Sequence, residues 1–552
     1  MSFHAENDTI AKRGLTFPIG SAQSEFRIPN SEIPPAFRLG YILCLTMLRF
    51  DVFTNGQPAR QVDLAGAYVF GQDGIPVRAD MAFAGGQITC VKRIAGACGL
   101  ALMWDAGSSG RFLLSTTRLA ERAKPYNLNV ELARAQMTRI AQKREDWGLF
   151  DFSGAEKLNK EFEAVKLDFI ESLKAAQPAQ AAALADQALA EGVTLGEKMS
   201  LFHADVLIGR RKNASAAGGG VAFGCMVDLF SAREDYCERI RETFDFVSIP
   251  MAWKHCEPKE RQHQYQQVDN WVNWAVRNRK PVHGGPLLSF EPARLPEWLY
   301  LWEHDYDALR DMIYEHIQRV AQRYERQVRT WTVISGIHAH NSFNLSFEQL
   351  MELTRMSCLL VKKLCPRSQV MIELLMPYGE YYARNQRTIP PLLYADMCVQ
   401  GGVKFDAFGL QVCMGVPADG FYIRDLMQVS NLLDEFVGFG KPLHVTGCQV
   451  PSDITPDAWD AWGGKEPIPR AGTWHAPWSP RLQAEWLQAF YRVAMSKPYV
   501  ESISWRDLGD YEGHFIPHGG LCRANLEPKL AYREMRAFRS YINAGRKAEP
   551  KG

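Results

Sequence analysis

The chain has 552 residues, 46% of them hydrophobic and 23% charged, with a formal net charge of +1 at pH 7. That length exceeds what one hydrophobic core holds and predicts two or three domains. The near-neutral balance excludes a charged field aimed at nucleic acid or an anionic membrane, so neither is expected as a partner. The longest apolar stretch near the start, 41–48, is far short of a bilayer span. It follows no basic segment and precedes no small-residue cleavage site, so a secretory signal is not expected. Twelve cysteines stand singly, several inside apolar runs (Cys225, Cys358, Cys398, Cys413). They read as buried reduced thiols rather than a disulfide framework or zinc site, which points to a cytoplasmic protein.

Residues 1–46 are polar, rich in proline near Pro29, Pro34 and Pro35, and aperiodic, so an extended leader is expected. Patterning restarts at Met47, which could be the initiator. From 47 to 127 the chain reads as short strands separated by turn signals such as Asn55-Gly56, Asp73-Gly74 and Gly85-Gly86. A small antiparallel β-sandwich-like domain fits, serving either as a carbohydrate-binding module or as a cap on a larger domain. From 128 to 205 the period becomes helical. Leu132, Met137 and Ile140, then Leu158, Phe162, Val165 and Phe169, recur at helical spacing, and an alanine-rich run follows, predicting a helical bridge. The glycine-rich stretch 214–220 is a loop; no Gly-Lys-Ser/Thr follows to make a phosphate cradle.

Over 206–545 strands and amphipathic helices alternate. Strands are predicted at 221–227, 244–250, 281–288, 328–335, 369–375, 405–412, 442–447 and 500–507. Helices between them include 309–324, 347–364, 426–439 and 482–495. Eight strand–helix units predict a closed (β/α)8 TIM barrel, with chemistry at the C-terminal strand ends.

The strand ends resemble, in order, those of glycoside hydrolase family 10, the retaining endo-β-1,4-xylanases. The similar pieces are Trp253 with Glu257-Pro258, then Leu295-Pro-Glu-Trp298-Leu299, Trp331-Thr-Val-Ile334 and Phe405-Asp-Ala-Phe-Gly-Leu-Gln411. Lys441-Pro-Leu-His-Val-Thr446, Ser502-Ile-Ser-Trp505-Arg-Asp507 and 520–532 follow. The resemblance implies a β-linked, xylan-like oligosaccharide or polysaccharide as ligand, with no cofactor. It makes Trp253, Gln411 and Trp505 matching ligand-binding positions. The acid/base glutamate it implies after the fourth strand falls on Gly336, and the nucleophile after the seventh on Gly447. Its histidines fall on Gly285, Phe290 and Cys413, and further polar positions on Pro250 and Ala252.

Retaining hydrolysis needs two carboxyl groups about 5–5.5 Å apart. Glycine supplies neither nucleophile nor proton, so binding without cleavage is expected. The alternative is an active glycosidase with relocated carboxylates. Candidates follow the fifth strand (Glu373, Glu380) and the eighth (Asp507, Asp510, Glu512), with Asp507 and Glu373 foremost; salt bridges to Arg384 or Arg506 are the bland reading of such charges. A third possibility is a structural or interaction protein on an enzyme fold. His338, His340 and Asn341 follow the emptied fourth strand as ligand-binding candidates. A metal held by them with His514 or His518 is possible in principle, but none is expected. Trp474, His475 and Trp478, after the seventh strand, either roof the cleft or pack on the rim. No Ser-His-Asp set or dinucleotide fingerprint stands out, and no protein partner can be named.

Overall fold

Eight parallel strands pair in a ring. A computed structural model describes residues 47–214, 220–231 and 233–547; the expected leader at 1–46 and nearly all of the loop at 214–220 lie outside the described residues. The barrel strands are Ala222–Met226, Phe246–Ile249, Val282–Gly284, Val328–Ser335, Gln369–Leu374, Ala407–Cys413, Leu443–Gln449 and Val500–Asp507. Each pairs in parallel with its sequence neighbour, and the eighth pairs back onto the first, closing the cylinder. The expected (β/α)8 barrel is therefore present. Its strands read as near-continuous apolar runs because both of their faces are covered, the outer one by helices.

The third strand departs from the expected unbroken run at 281–288. It stops at Gly284 and resumes as Leu288–Ser289 against the fourth strand. Gly285, at φ +123°, sits so close to the fourth strand that a Cβ there would lie 2.3 Å from the Thr332 carbonyl oxygen. Only glycine allows that approach.

The expected β-sandwich-like region precedes the barrel as two mainly antiparallel sheets. One joins Met47–Asp51, Ala79–Ala84 and Gln87–Lys92 with Tyr126–Asn127. The other joins Tyr68–Phe70, Pro76–Val77, Gly99–Asp105 and Gly110–Ser115. Its edge is completed from far along the chain: Thr473–Trp474, in the insertion after the seventh barrel strand, pairs with Gly110 and Arg111.

Three helices follow, Leu128–Asp146, Glu156–Lys174 and Pro178–Ala214. The last runs past 205, the expected end of the bridge, because its apolar face continues onto the barrel helices Leu426–Glu435 and Pro480–Ser496. The β region docks on loops that leave the fifth and sixth barrel strands. Arg384 donates to the Ala67 carbonyl, Arg424 and Gln428 to that of Leu113. Arg424 also forms a buried ion pair with Glu380. This region and the barrel thus belong to one unit. Among the described residues no helix is long and apolar enough to cross a membrane.

Candidate functional site

A cleft of about 560 Å³ opens at the C-terminal ends of the first, second, third and eighth strands, within the size range of small-ligand sites. Beneath it, between the strands, lies a cavity of about 40 Å³, little more than room for one or two waters.

Asp507 ends the eighth strand and faces the cleft. Its carboxylate accepts from the Tyr511 hydroxyl at 2.7 Å and the Phe515 amide at 2.9 Å. Asp228 follows the first strand and accepts from the Phe230 amide at 3.0 Å. Burial, aided by the nearby Asp507 charge, pushes the Asp228 carboxyl up despite that hydrogen bond. Glu291, after the third strand, pairs with Arg294 at 2.7 Å. Burial would raise its carboxyl too, but Arg294, Arg506 and His340 outweigh it and hold Glu291 below the usual range. The cleft thus contains carboxyl groups whose proton affinities are driven apart by their surroundings.

Aromatic groups line the same space. Phe230 is 71% exposed, with its ring 6.0 Å from that of His255 in an edge-on contact. Trp462 donates its indole N–H to the Phe515 carbonyl at 3.0 Å. Phe515 in turn covers the Arg506 guanidinium at 4.0 Å. Such rings offer flat apolar faces with polar edges.

The insertion that delivers Trp462 is stitched down on two sides. Asp457 lies 2.9 Å from the His514 ring as an ion-pair contact and accepts from the His518 amide at 2.9 Å, tying it to the loop after the eighth strand. On the other side Trp474 and His475 both reach Glu197 of the long helix, at 2.7 and 3.0 Å. Trp474 and Trp478 are buried, so they pack rather than roof the cleft.

The two glycines differ. Gly336 has φ +63°, and a Cβ there would lie 2.5 Å from Leu375 Cδ1. Its side-chain direction is filled by the next strand. Gly447 is open by comparison: a Cβ would meet Gln411 at 3.4 Å and Arg506 Cβ at 3.7 Å, ordinary contact distances. Gln411, its register partner, reaches the inner cavity.

Of the candidate residues singled out in the sequence, the cleft gathers Asp507, Glu512 and His340; burial lowers the His340 pKa. Glu373 stands deeper, at the inner cavity, where it accepts from the Ser335 hydroxyl at 2.5 Å. Trp253 is 3% exposed, donates to Glu257 at 3.1 Å and stacks on His316. Trp505 is 0% exposed and donates to the Gly519 carbonyl at 3.1 Å. Both indoles are packed away from the cleft. His338 lies in the core 3.1 Å from the Leu375 carbonyl, its pKa lowered by burial to about 3. Asn341 spends its amide on Leu345 in its own loop and on the Arg387 carbonyl of the loop after the fifth strand. Since His338 points into the core and His340 toward the cleft, they do not converge; among the described residues no cluster of three or more metal-ligating side chains occurs. Glu380 is sealed against Arg424, and Asp510 against Lys529 at 2.6 Å.

Sequence reasoning missed Asp228, Phe230, Glu291, Arg294 and Trp462 as cleft residues. The one available signal was position: Asp228 directly follows a predicted strand end. Arg506 was legible only as a partner for acidic loops.

Residues 211–454 match the family model described as glycosyl hydrolase family 10. Curated relatives include endo-1,4-beta-xylanase C of Paenibacillus barcinonensis, 25% identical over 134 residues, 22% of this chain and 12% of that protein. Endo-1,4-beta-xylanase 3 of Hypocrea jecorina is 31% identical over 87 residues, 16% of this chain and 24% of that protein. The chain thus spans between about an eighth and a quarter of those relatives' length. Among solved structures, native xylanase 10B from Thermotoga maritima aligns with TM-score 0.44 and 16% identity, over 60% of this chain and 99% of that one. Xylanase 10B from Thermotoga petrophila RKU-1 in complex with xylobiose aligns with TM-score 0.43 and 17% identity, over 60% of this chain and 97% of that one. Residues 211–454 are thus a glycosyl hydrolase family 10 domain, and they hold seven of the eight barrel strands.

Proposed function

We propose that this protein binds a β-linked, xylan-like saccharide in the cleft at the barrel mouth and does not carry out the family's retaining hydrolysis. The observation that carries the reading is Gly336. Its left-handed backbone and the 2.5 Å approach of Leu375 leave no path for an acid/base side chain. At the other family position, Gly447 is flanked by Gln411 and Arg506 rather than by a carboxylate. Aromatic faces at Phe230 and Trp462, set among polar groups, suit the alternating apolar and hydroxyl surfaces of a sugar. The β region then acts as a cap on the loops after the fifth and sixth strands rather than as a second sugar site. A cytoplasmic location is part of the proposal. Its support is that the eleven described cysteines are all free and buried, as a reducing compartment permits. The test is titration calorimetry with xylo-oligosaccharides run beside a reducing-sugar assay. Heat of binding with no product is expected; release of reducing ends by pure protein would overturn the reading.

A second reading, a glycosidase with relocated carboxylates, draws on the raised Asp228 and the lowered Glu291 beside Asp507. Separated proton affinities in one cleft are the pattern of acid–base pairs. Under that reading Asp507→Asn or Asp228→Asn lowers hydrolysis by about a hundredfold or more. Retention of activity in both variants would refute it.

A further inference from the structure

Arg506 is the unusual group of this cleft. Its Cβ lies 3.7 Å from where a side chain at 447 would begin, so it stands on the ground beside the emptied seventh-strand position. Its Nε is buried with no hydrogen-bond partner. Among the described residues its guanidinium makes no hydrogen bond or ion pair, and it lies 4.0 Å from the centre of the Phe515 ring. The acidic groups around it are already served: Glu291 by Arg294, Asp507 by Tyr511 and the Phe515 amide, Glu373 by Ser335. An arginine carries five donors in a rigid planar fork, and leaving them unmet in a partly buried site is unfavourable. The fork lines both the cleft and the inner cavity, so a ligand seated there can supply acceptors to it.

Charge decides which acceptors fit. Asp507, Glu291 and Glu373 all lie within electrostatic range of Arg506, and Asp228 lines the same cleft. A ligand carboxylate would be attracted by Arg506 and by Arg294, whose charge is already shared with Glu291, and would meet the repulsion of several carboxylates in a site of low dielectric. Hydroxyl oxygens accept from the fork without bringing charge. We propose that Arg506 grips two neighbouring hydroxyl oxygens of an uncharged saccharide and that the surrounding carboxylates turn away saccharides carrying a uronate. This deepens the reading of the cleft as a saccharide site and rests on it.

The test is calorimetry on the full chain with xylotetraose and with xylotetraose bearing a glucuronic acid branch. Arg506→Lys keeps the positive charge but loses the fork, and is expected to weaken xylotetraose binding by about tenfold or more. On wild-type protein the acid-bearing sugar is expected to bind about tenfold or more weakly than xylotetraose at low salt, with the gap narrowing at about 0.5 M salt as repulsion is screened. Wild-type affinity in Arg506→Lys, or equal or tighter binding of the acidic sugar, overturns the proposal. If Arg506→Lys does not fold, the salt-and-charge comparison on wild-type protein still decides it. Wild-type protein that binds neither sugar overturns the saccharide reading itself, an outcome distinct from selective failure of the Arg506 prediction.

Discussion

Adding one methyl group at each emptied family position should have opposite consequences. At 336 the alanine must hold φ near +63°, which costs an L-residue about 1–2 kcal/mol. Its methyl would also sit 2.5 Å from Leu375 Cδ1 and 2.8 Å from Cγ. Leu375 is buried, and such overpacking costs about 1–3 kcal/mol. Against this stands the reduced freedom of the unfolded chain, worth about 0.4–1 kcal/mol. The net is a loss of about 1–4.5 kcal/mol for Gly336→Ala. At 447 the new methyl finds only contacts of 3.4 Å or longer and no left-handed backbone. Gly447→Ala should therefore change stability by less than about 1 kcal/mol, in either direction. Urea unfolding followed by tryptophan fluorescence separates the two, since the midpoint of Gly336→Ala falls clearly while that of Gly447→Ala stays near wild type. Equal shifts, or a stabilised Gly336→Ala, would refute the claim that one vacated position is filled and the other open.

Three further outcomes are expected. Both ring nitrogens of His514 face acceptors, the Tyr511 carbonyl at 2.7 Å and Asp457 at 2.9 Å, an arrangement that favours the imidazolium. Burial opposes that charge, but the bonds to Asp457 and Tyr511 raise His514 above its ordinary 6.5. The stability it adds is complete below pH 6.5 and fades as pH rises through the raised value; Asp457, depressed below 3.8, keeps its share until pH falls past that point. Wild type should lose melting temperature between pH 6 and 9 more steeply than Asp457→Asn, and parallel curves would count against the clasp. Glu380→Gln strands Arg424 in a buried site and should destabilise by about 3–5 kcal/mol, read as a lower thermal midpoint; a change within experimental error means the pair is not sealed. Trp474→Phe removes the indole donor from Glu197 and should cost about 1–3 kcal/mol, visible as faster proteolytic cleavage within 451–479, whereas an unchanged cleavage rate would show that the insertion is held elsewhere.

The barrel was legible because apolar strand runs alternate with amphipathic helices along 221–507. The runs at 328–335 and 500–507 were read with the bounds that Val328–Ser335 and Val500–Asp507 have. The split of the third strand was not legible, since it depends on how closely Gly285 meets Thr332 from another strand. At the site, residue type alone misplaced emphasis. Trp253 and Trp505 look like sugar platforms in sequence, yet their N–H groups are spent on Glu257 and Gly519 inside the fold. Phe230 carries no motif and is the exposed ring. Whether an arginine such as Arg506 is paired depends on side-chain directions, which no spacing encodes.

The outer strand of the second N-terminal sheet comes from residues 473 and 474, and its contact to Arg111 spans 362 positions. During synthesis that early sheet must therefore wait, with one bare rim, until nearly the whole protein has left the ribosome. An uncovered rim is an invitation to foreign pairing. Cutting the first 127 residues loose for separate expression should thus yield a sticky fragment, not a portable module.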